Sequence, residues 1–434
     1  MVPDPVPGAD RANAAAKRLL RRAFEAALAA ADPGRALLPH LPEPPAGRTL
    51  VVGAGKAAAR MAAAVDVRYA GAPLSGLAIV PYGHAASGAG RVAVAEAGHP
   101  VPDAAGVAAT ERVLALARAA APDDRLLVLL SGGGSALLTA PAGVTLAEKA
   151  EATRRLLASG ADIGAINVVR KHLSRVKGGR LAALARAPSL TLALSDVVGD
   201  DPATIASGPT VPDPSTYAEA LAVVERYAPE LTAVRAALTR GAAGAAPESP
   251  KPGDPRLARA GIRLVGGGEA SLAAAARVVE AAGYAAVSLG AGVQGEARRV
   301  GREHAALAAR LVAHGRRVAL LSGGELTVTV HGARPGRGGP NGEYALAFAA
   351  AAAPGARYAL LAADTDGIDG GQGPAAPAGA LLGPAEAARL TPDAARAALA
   401  AHGSHDLLAR VGGLLVTGPT GTNVNDLRVV LLEG

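Results

Sequence analysis

Continuous apolar runs alternate with helical stretches along most of this chain, and the runs stop at glycine or at a polar residue. "TLVVGAG" (49–55), "GLAIV" (76–80), "LLVLLSGGG" (126–134) and "LTLALSD" (190–196) all follow this rule. Unbroken hydrophobicity marks a strand buried on both faces, the pattern of a parallel sheet covered by helices. Ligands of such sheets bind beyond the carboxyl ends of the strands, where these glycines and polar residues fall. Ahead of the first run, residues 10–32 place Leu19, Leu20, Phe24 and Leu28 at the spacing of an amphipathic helix. Residues 241–258, "GAAGAAPESPKPGDPRLA", are rich in proline and small residues and read as a linker or surface excursion. The alternation then resumes with "IRLVGGGEA", "YAAVSLG", "RRVALLSGGELTVTVHG", "RYALLAADTDGIDG" and a closing "DLRVVLL". Within it "GGELTVTVHG" alternates as a half-exposed strand does, so the second half is expected to hold a mixed sheet. The expectation is an α/β protein of two domains, residues 1–240 and 259–434, joined by 241–258.

Composition sharpens this picture at a few points. A chain of 434 residues exceeds one ordinary core, and with 2% aromatics and no tryptophan the cores must be built from Ala, Leu and Val, which implies close helix contacts. No apolar stretch reaches membrane-spanning length and the first residues lack the order of a signal peptide, so a soluble, cytoplasmic protein without a membrane partner is expected. The absence of cysteine excludes disulfides, thiolate metal sites and a cysteine nucleophile. The formal charge of +7 is spread along helices without a basic run interleaved with aromatics, so a small anionic substrate is expected rather than nucleic acid. Lysines are scarce, and two of them, Lys56 and Lys177, adjoin glycines, where an ammonium can reach an oxyanion.

Four glycine turns close strands. In "LVVGAGKAAARMAAA" a Walker A loop would need glycine at Leu50 and a hydroxyl at Ala57, so that reading fails. Gly53 and Gly55 fit a dinucleotide fingerprint better, yet the next strand ends in Pro81, Tyr82 and His84 where a ribose-binding acid is needed. What remains is a strand-to-helix turn that raises Lys56, which favours an anion; the plain alternative is tight packing with a solvated lysine. "LLSGGGSALL" presents Ser131, Gly132, Gly133, Gly134 and Ser135 as a phosphate cradle or carboxylate pocket, out of register for a nucleophile elbow. "LVGGGEASL" and "LLSGGELTV" repeat the theme with Gly267, Glu269, Gly323 and Glu325.

Polar constellations stand beside these turns. Asp196, just past a strand end, is placed to hold Mg²⁺ or to take a proton from a substrate hydroxyl, whereas Asp200 and Asp213 read as capping residues. "NVVRKHLSRVKGGRLAALA" carries Arg170, Lys171, His172, Arg175 and Lys177 on a helical pattern; this is either a solvated basic face or, at the Gly178-Gly179 break, a close approach at Lys177. In "HGARPGRGGPNGEYALAFA" (331–349), a glycine loop before a helix, Arg334 and Arg337 have the reach to clamp a phosphoryl group. "AADTDGIDGG", with Asp364, Asp366 and Asp369, lacks the spacing of a calcium loop and reads as another strand-end ligand loop.

Taken together, "VVGAGKAAARMA", "GHPVPD", "LLSGGGSALL", "HLSRVKGGRLA", "LSDVVGDDPATIASGPTVPD", "GGGEA", "SGGELTVTV", "GRGGPNGEYALA", "DTDGIDG" and "TGTNVNDLRVVL" resemble the class II glycerate 2-kinases, in order over residues 50–431. The resemblance implies a larger Rossmann-like domain with a mostly parallel sheet, a smaller MOFRL-like C-terminal domain with a mixed sheet, and an active site in the cleft between them. It implies phosphorylation of D-glycerate at the 2-hydroxyl with ATP and Mg²⁺, and leaves a homodimer open. The catalytic lysine of the family falls on Lys56 and its aspartate, a metal-ligand candidate, on Asp196. The family loop G-G-R-N-Q-E corresponds to Gly338-Gly339-Pro340-Asn341-Gly342-Glu343, so Arg337 is the arginine left to act and Asn341 joins the binding set. Lys177, Glu269, Glu325, Asp364 and Asp366 complete the expected binding residues. Family members are also labelled hydroxypyruvate reductases; an NAD(P)H-dependent reductase and a non-catalytic acid-binding module are the alternatives.

Overall fold

The computed structural model describes residues 7–85, 90–195, 201–312, 316–330, 336–371 and 376–433. They form two compact units, one of residues 33–266 and one built from the chain up to residue 32 together with residues 267 onward.

Unit 33–266 carries a six-stranded parallel sheet of β1 (Thr49–Ala54), β2 (Leu74–Pro81), β3 (Val92–Ala97), β4 (Arg125–Leu130), β5 (Ser189–Leu194) and β6 (Ala260–Gly266). Their order across the sheet is β3-β2-β1-β4-β5-β6. β1 is buried throughout and β4 for five of its six residues, as their unbroken apolar runs require. Each buried Leu or Val contributes about 1.5–3 kcal/mol of transfer free energy. The helix Ala58–Arg68 follows β1, and the helix Ala104–Ala119, capped by the Asp103 carboxylate accepting from the Gly106 N–H, follows β3. β3 was not expected: "VAVAEA" buries only its first and last residues, so its apolar signal is thin. Between β4 and β6, Leu156, Ile166, Val169, Tyr217, Val224 and Leu238 of several helices build a separate cluster.

The proline-rich stretch 241–258 lies inside this unit. Ser249 is buried with its hydroxyl on Asp213 Oδ2 (2.8 Å), and Asp254 caps a 3₁₀ turn, Pro255–Leu257. "IRLVGGG", expected to open the second domain, supplies β6, whose residues Ser189↔Ala260 onward pair with β5. The division between units therefore falls at 266/267 rather than at 240 and 259.

The other unit holds a mixed sheet of β7 (Ala285–Ser288), β8 (Val318–Gly324), β9 (Tyr358–Asp364), β10 (Gly379–Leu382), β11 (Leu414–Leu415) and β12 (Asp426–Leu432), ordered β11-β10-β9-β12-β8-β7. β12 runs antiparallel between β9 and β8, while β7 and β8 are parallel. "GGELTVTVHG" is not one strand: β8 stops at Gly324, and Leu326–Thr327 makes a two-residue parallel pair with Gly295–Glu296. The helix Pro340–Ala351 is buried on all sides from Asn341 to Ala349, as an alanine-rich helix without a polar face must be. Its contact with the helix Ala297–Val312 is so close that a Cβ on Gly301 would lie 2.6 Å from the Tyr344 carbonyl oxygen.

The first helix, Pro7–Ala30, also belongs here. Its Leu20, Ala23, Phe24 and Ala27 join the core of the mixed sheet, Ser271 Oγ donates to the Ala27 carbonyl (3.0 Å), and Lys17 pairs with Glu386 (3.0 Å).

Candidate functional site

The sheet of unit 33–266 grows from β1 through β2 to β3 in one direction and from β4 through β5 to β6 in the other, so the β1/β4 pair is its topological switch point. Both strands end there in a predicted glycine turn, and the turns interlock. The Lys56 N–H donates to the Gly132 carbonyl (2.8 Å), the Ser131 N–H to the Ala54 carbonyl (3.0 Å), and the Ala57 N–H to Ser131 Oγ (3.0 Å). Gly55 sits at φ +129°, and any side chain there would collide with Ser131. Gly133 sits at φ +86°, directly beside the His99 ring: a Cβ would lie 3.0 Å from its Cδ2. Lys56, half-buried, rises from this junction.

A hydrogen-bonded chain leads away from the second turn. Ser135 Oγ meets Ser207 Oγ (2.9 Å), Ser207 Oγ donates to Asn167 Oδ1 (3.0 Å), and Arg170 reaches the same oxygen (3.4 Å). Ala206 and Ser207 hold left-handed backbone, φ +51° and +59°, a strain of roughly 1–3 kcal/mol each that clusters at functional sites. Lys177 lies wholly buried under the turn and donates to the carbonyls of Ser135 (2.7 Å) and Ala206 (3.4 Å). It was expected to reach a ligand; instead it supports the turn. Lys149, also buried, donates to the Leu173 carbonyl (2.6 Å).

These cations crowd one another. Burial, then the charges of Arg170 and Arg180, brings the Lys149 ammonium down to about 7; burial, then Lys149 and Arg170, holds Lys177 well below the usual lysine range. Partial burial of the His99 ring, then Lys56, His84 and Arg170, lowers His99 to about 4, so that it stays neutral at pH 7 although it keeps a solvent-facing edge. His99, Asn167, Arg170 and Ser207 were not among the expected site residues. Asp213, read as a cap, is a buried acceptor for Lys171, Ser215 and Ser249. Asp196, the expected acid and metal ligand, lies outside the described residues, as does Asp200.

The remaining predicted residues fall in the other unit. Glu269 accepts from the Ala291 N–H (2.7 Å), next to Gly267, which precedes the helix Gly268–Ala281. Gly323 closes β8 and, with Gly324, gives its carbonyl to Arg428 (3.0 and 3.3 Å); Glu325 follows, exposed. Arg428, 1% exposed, also pairs with Asp426, whose second oxygen accepts from Asn341 Nδ2 (2.6 Å). Asp369 receives the N–H groups of Asn341 (2.7 Å) and Gly342 (2.8 Å), with His405 Nε2 3.2 Å away. Glu343 binds Arg298 (2.6 Å) and lies 2.8 Å from His402 Nδ1. The P-N-G-E motif is thus tied into internal contacts, except that Asn341 Oδ1 is buried without a hydrogen-bond partner among the described residues.

Asp364 ends β9. Burial, reinforced by Asp366 and Asp426, raises its carboxyl to about 9, which leaves it protonated at neutral pH. Asp366 takes the Ile368 N–H (2.9 Å). Arg337 is 81% exposed and its guanidinium rests on Asp406 (2.6 Å). Among the described residues no group of three or more His, Asp or Glu side chains is arranged to hold a metal ion, and no helix is long and apolar enough to cross a membrane.

Comparison with known proteins adds to this geometry. Residues 19–240 match a domain of unknown function, DUF4147, and residues 318–426 match the MOFRL family. A protein of Agrobacterium vitis, provisionally named a hydroxypyruvate reductase, is 46% identical over 97% of this chain and 95% of its own. The D-glycerate 2-kinase of Thermotoga maritima is 38% identical over 96% of this chain and 98% of its own. The crystal structure of the Thermotoga maritima glycerate kinase superposes with a TM-score of 0.85 at 37% identity, covering 96% of this chain and all of that one.

Proposed function

This chain belongs to the class II glycerate 2-kinase family, and from that premise we propose that it transfers the γ-phosphoryl group of MgATP to the 2-hydroxyl of D-glycerate. The observation that carries the reading is the pair of interlocked glycine turns at the switch point, with Lys56 raised from the first and further cations grouped around the second. Backbone N–H groups and ammonium together favour an anion there.

Glycerate is held at the Ser131–Ser135 turn. The 2-hydroxyl oxygen forms the new bond to the γ-phosphorus as the bond to the β,γ-bridging oxygen breaks, and the hydroxyl proton passes to Asp196 or to water. Lys56 offsets charge on the transferring group, the contribution on which phosphoryl transfer chiefly depends. Asp196 would be the residue to hold Mg²⁺ brought with the nucleotide, and the ion would offset charge on the phosphates.

The reductase reading is not favoured by the strand ends. β2 runs out in Pro81, Tyr82 and Gly83, and the nearby acid, Glu96 of β3, is occupied by the N–H groups of Gly83 (2.8 Å) and Ala85 (3.4 Å). A ribose needs a free carboxylate at the end of β2. The test runs two reactions in parallel, D-glycerate with MgATP followed by ADP release and hydroxypyruvate with NADH followed by NADH oxidation. ADP release alone is expected, and NMR of the product is expected to show 2-phosphoglycerate; NADH oxidation alone overturns the reading.

A further inference from the structure

We propose that Arg170 recognises the carboxylate of the acceptor and so makes this enzyme select hydroxy acids over neutral polyols. The proposal rests on the kinase reading for the reaction, but not for the presence of an acid-binding site.

Three observations meet at this residue. It belongs to the strand-end site by connection, because its guanidinium shares Asn167 Oδ1 with the Ser207 hydroxyl, which in turn meets Ser135 of the glycine turn. It is underused: a guanidinium carries five N–H donors, and among the described residues Arg170 makes one long hydrogen bond, 3.4 Å, and pairs with no carboxylate. Other enclosed arginines among the described residues spend their donors: Arg298 is held by Glu343, Arg428 by Asp426, and Arg180 reaches the carbonyls of Lys171, Lys177 and Pro247.

The third observation is its company. Arg170 is partly buried, and its charge is felt by His99, Lys149 and Lys177, all of which it disfavours as cations. A partly desolvated arginine that pairs with no carboxylate is an unstable arrangement unless an anion joins it. A carboxylate matches the planar fork of a guanidinium with two parallel hydrogen bonds, which an ammonium cannot offer. Assigning the carboxylate to Arg170 leaves Lys56 for the transferring phosphoryl group, so one substrate is gripped at two points with different chemistry.

The test compares wild type with Arg170→Ala and Arg170→Lys. D-Glycerate binding is measured by calorimetry without nucleotide, steady-state kinetics by ADP release, and inhibition with glyceramide, the neutral amide of the same acid. The loss of a charged hydrogen-bond partner is expected to raise the dissociation constant and KM for D-glycerate roughly 10–100-fold in both variants, with a smaller change in kcat. MgATP binding and the weak inhibition by glyceramide are expected to stay as in wild type, and guanidinium ion is expected to restore part of the D-glycerate affinity to Arg170→Ala. Unchanged D-glycerate affinity in a folded variant, or equal losses for acid and amide, overturns the proposal. If Arg170→Ala does not fold, Arg170→Lys decides alone, since a merely structural role predicts rescue by lysine and a bidentate clamp does not. Wild type that binds D-glycerate through Arg170 yet releases no ADP overturns the kinase reading and leaves this inference standing.

Discussion

Two strand-end clusters in this chain use the same backbone device with opposite charge. At the switch point of the parallel sheet, glycine turns gather Lys56, Arg170 and the buried Lys149 and Lys177; burial and the Arg170 charge destabilise the ammonium groups of these last two. At the ends of β9 and β12 in the mixed sheet, Asp364 and Asp426 gather instead, and burial raises both carboxyls. The comparison separates two roles that a glycine turn suggests equally well. It grants close backbone approach, but the surrounding charge decides what approaches. In the mixed sheet much of the polar capacity is spent internally, with Asp369 on a helix start and Asp426 on Arg428 and Asn341. In the parallel sheet the cations lean on carbonyls and leave room for an anion.

The sharpest way to break this contrast is Arg428→Ala. It strands Asp426 as a buried unpaired carboxylate, for which about 3–5 kcal/mol of stability is the expected loss, read by denaturant unfolding. Retained stability would mean that the acidic cluster is not internally neutralised. Lys56→Ala removes the cation proposed to meet the ligand in the other cluster; about a 10²–10³-fold fall in kcat is expected with little change in melting temperature, since the side chain is half-buried. Near-normal turnover would remove Lys56 from the mechanism.

The clusters also differ in the sign of their pH dependence. Lys149 titrates near 7 when folded and near 10.4 when unfolded, so the unfolded chain binds more protons between those values and unit 33–266 gains stability as pH rises through that window. Asp364 titrates near 9 folded and near 3.9 unfolded, so the folded chain binds more protons and its unit loses stability as pH rises from about 4 to 9. Between pH 7 and 9 the two slopes oppose. Hydrogen exchange resolved by unit is expected to show this, with Lys149→Met flattening one slope and Asp364→Asn the other; parallel slopes in wild type would contradict it. The smallest effect is expected from Arg337→Ala, whose exposed pair with Asp406 contributes at most about 1 kcal/mol. A fall in kcat beyond tenfold would instead make Arg337 a phosphoryl clamp.

The apolar runs and the glycines that end them were legible because burial on both faces writes itself as unbroken hydrophobicity and a tight turn as glycine. Short or half-exposed strands were read only in part: "IRLVGGG" and "YAAVSLG" became β6 and β7, whereas β3, β10 and β11 lack that signal. The unit boundary was misplaced because proline and small residues mark any irregular surface path, and 241–258 is one that stays within its unit. At the switch point, the turns that carry Lys56 and Ser131–Ser135 were visible as glycine-rich strand ends. Arg170 and Asn167 were hidden in a helix whose basic residues resemble a solvated face, and only the fold shows which turn of that helix is covered. Asn341, read as a binding residue, gives its amide N–H to Asp426 while its Oδ1 is buried with no hydrogen-bond partner among the described residues, a division sequence does not show.

The helix Pro7–Ala30 finds its partners only across more than two hundred residues of intervening chain. On the ribosome it emerges ahead of residues 33–266, yet the strands that bury Leu20 and Phe24 are translated after them. Residues 33–266 can close their sheet while that helix still waits with its apolar side uncovered. Birth order and assembly order are therefore crossed, and this helix needs shelter for its apolar side until the strands beyond residue 266 have followed it.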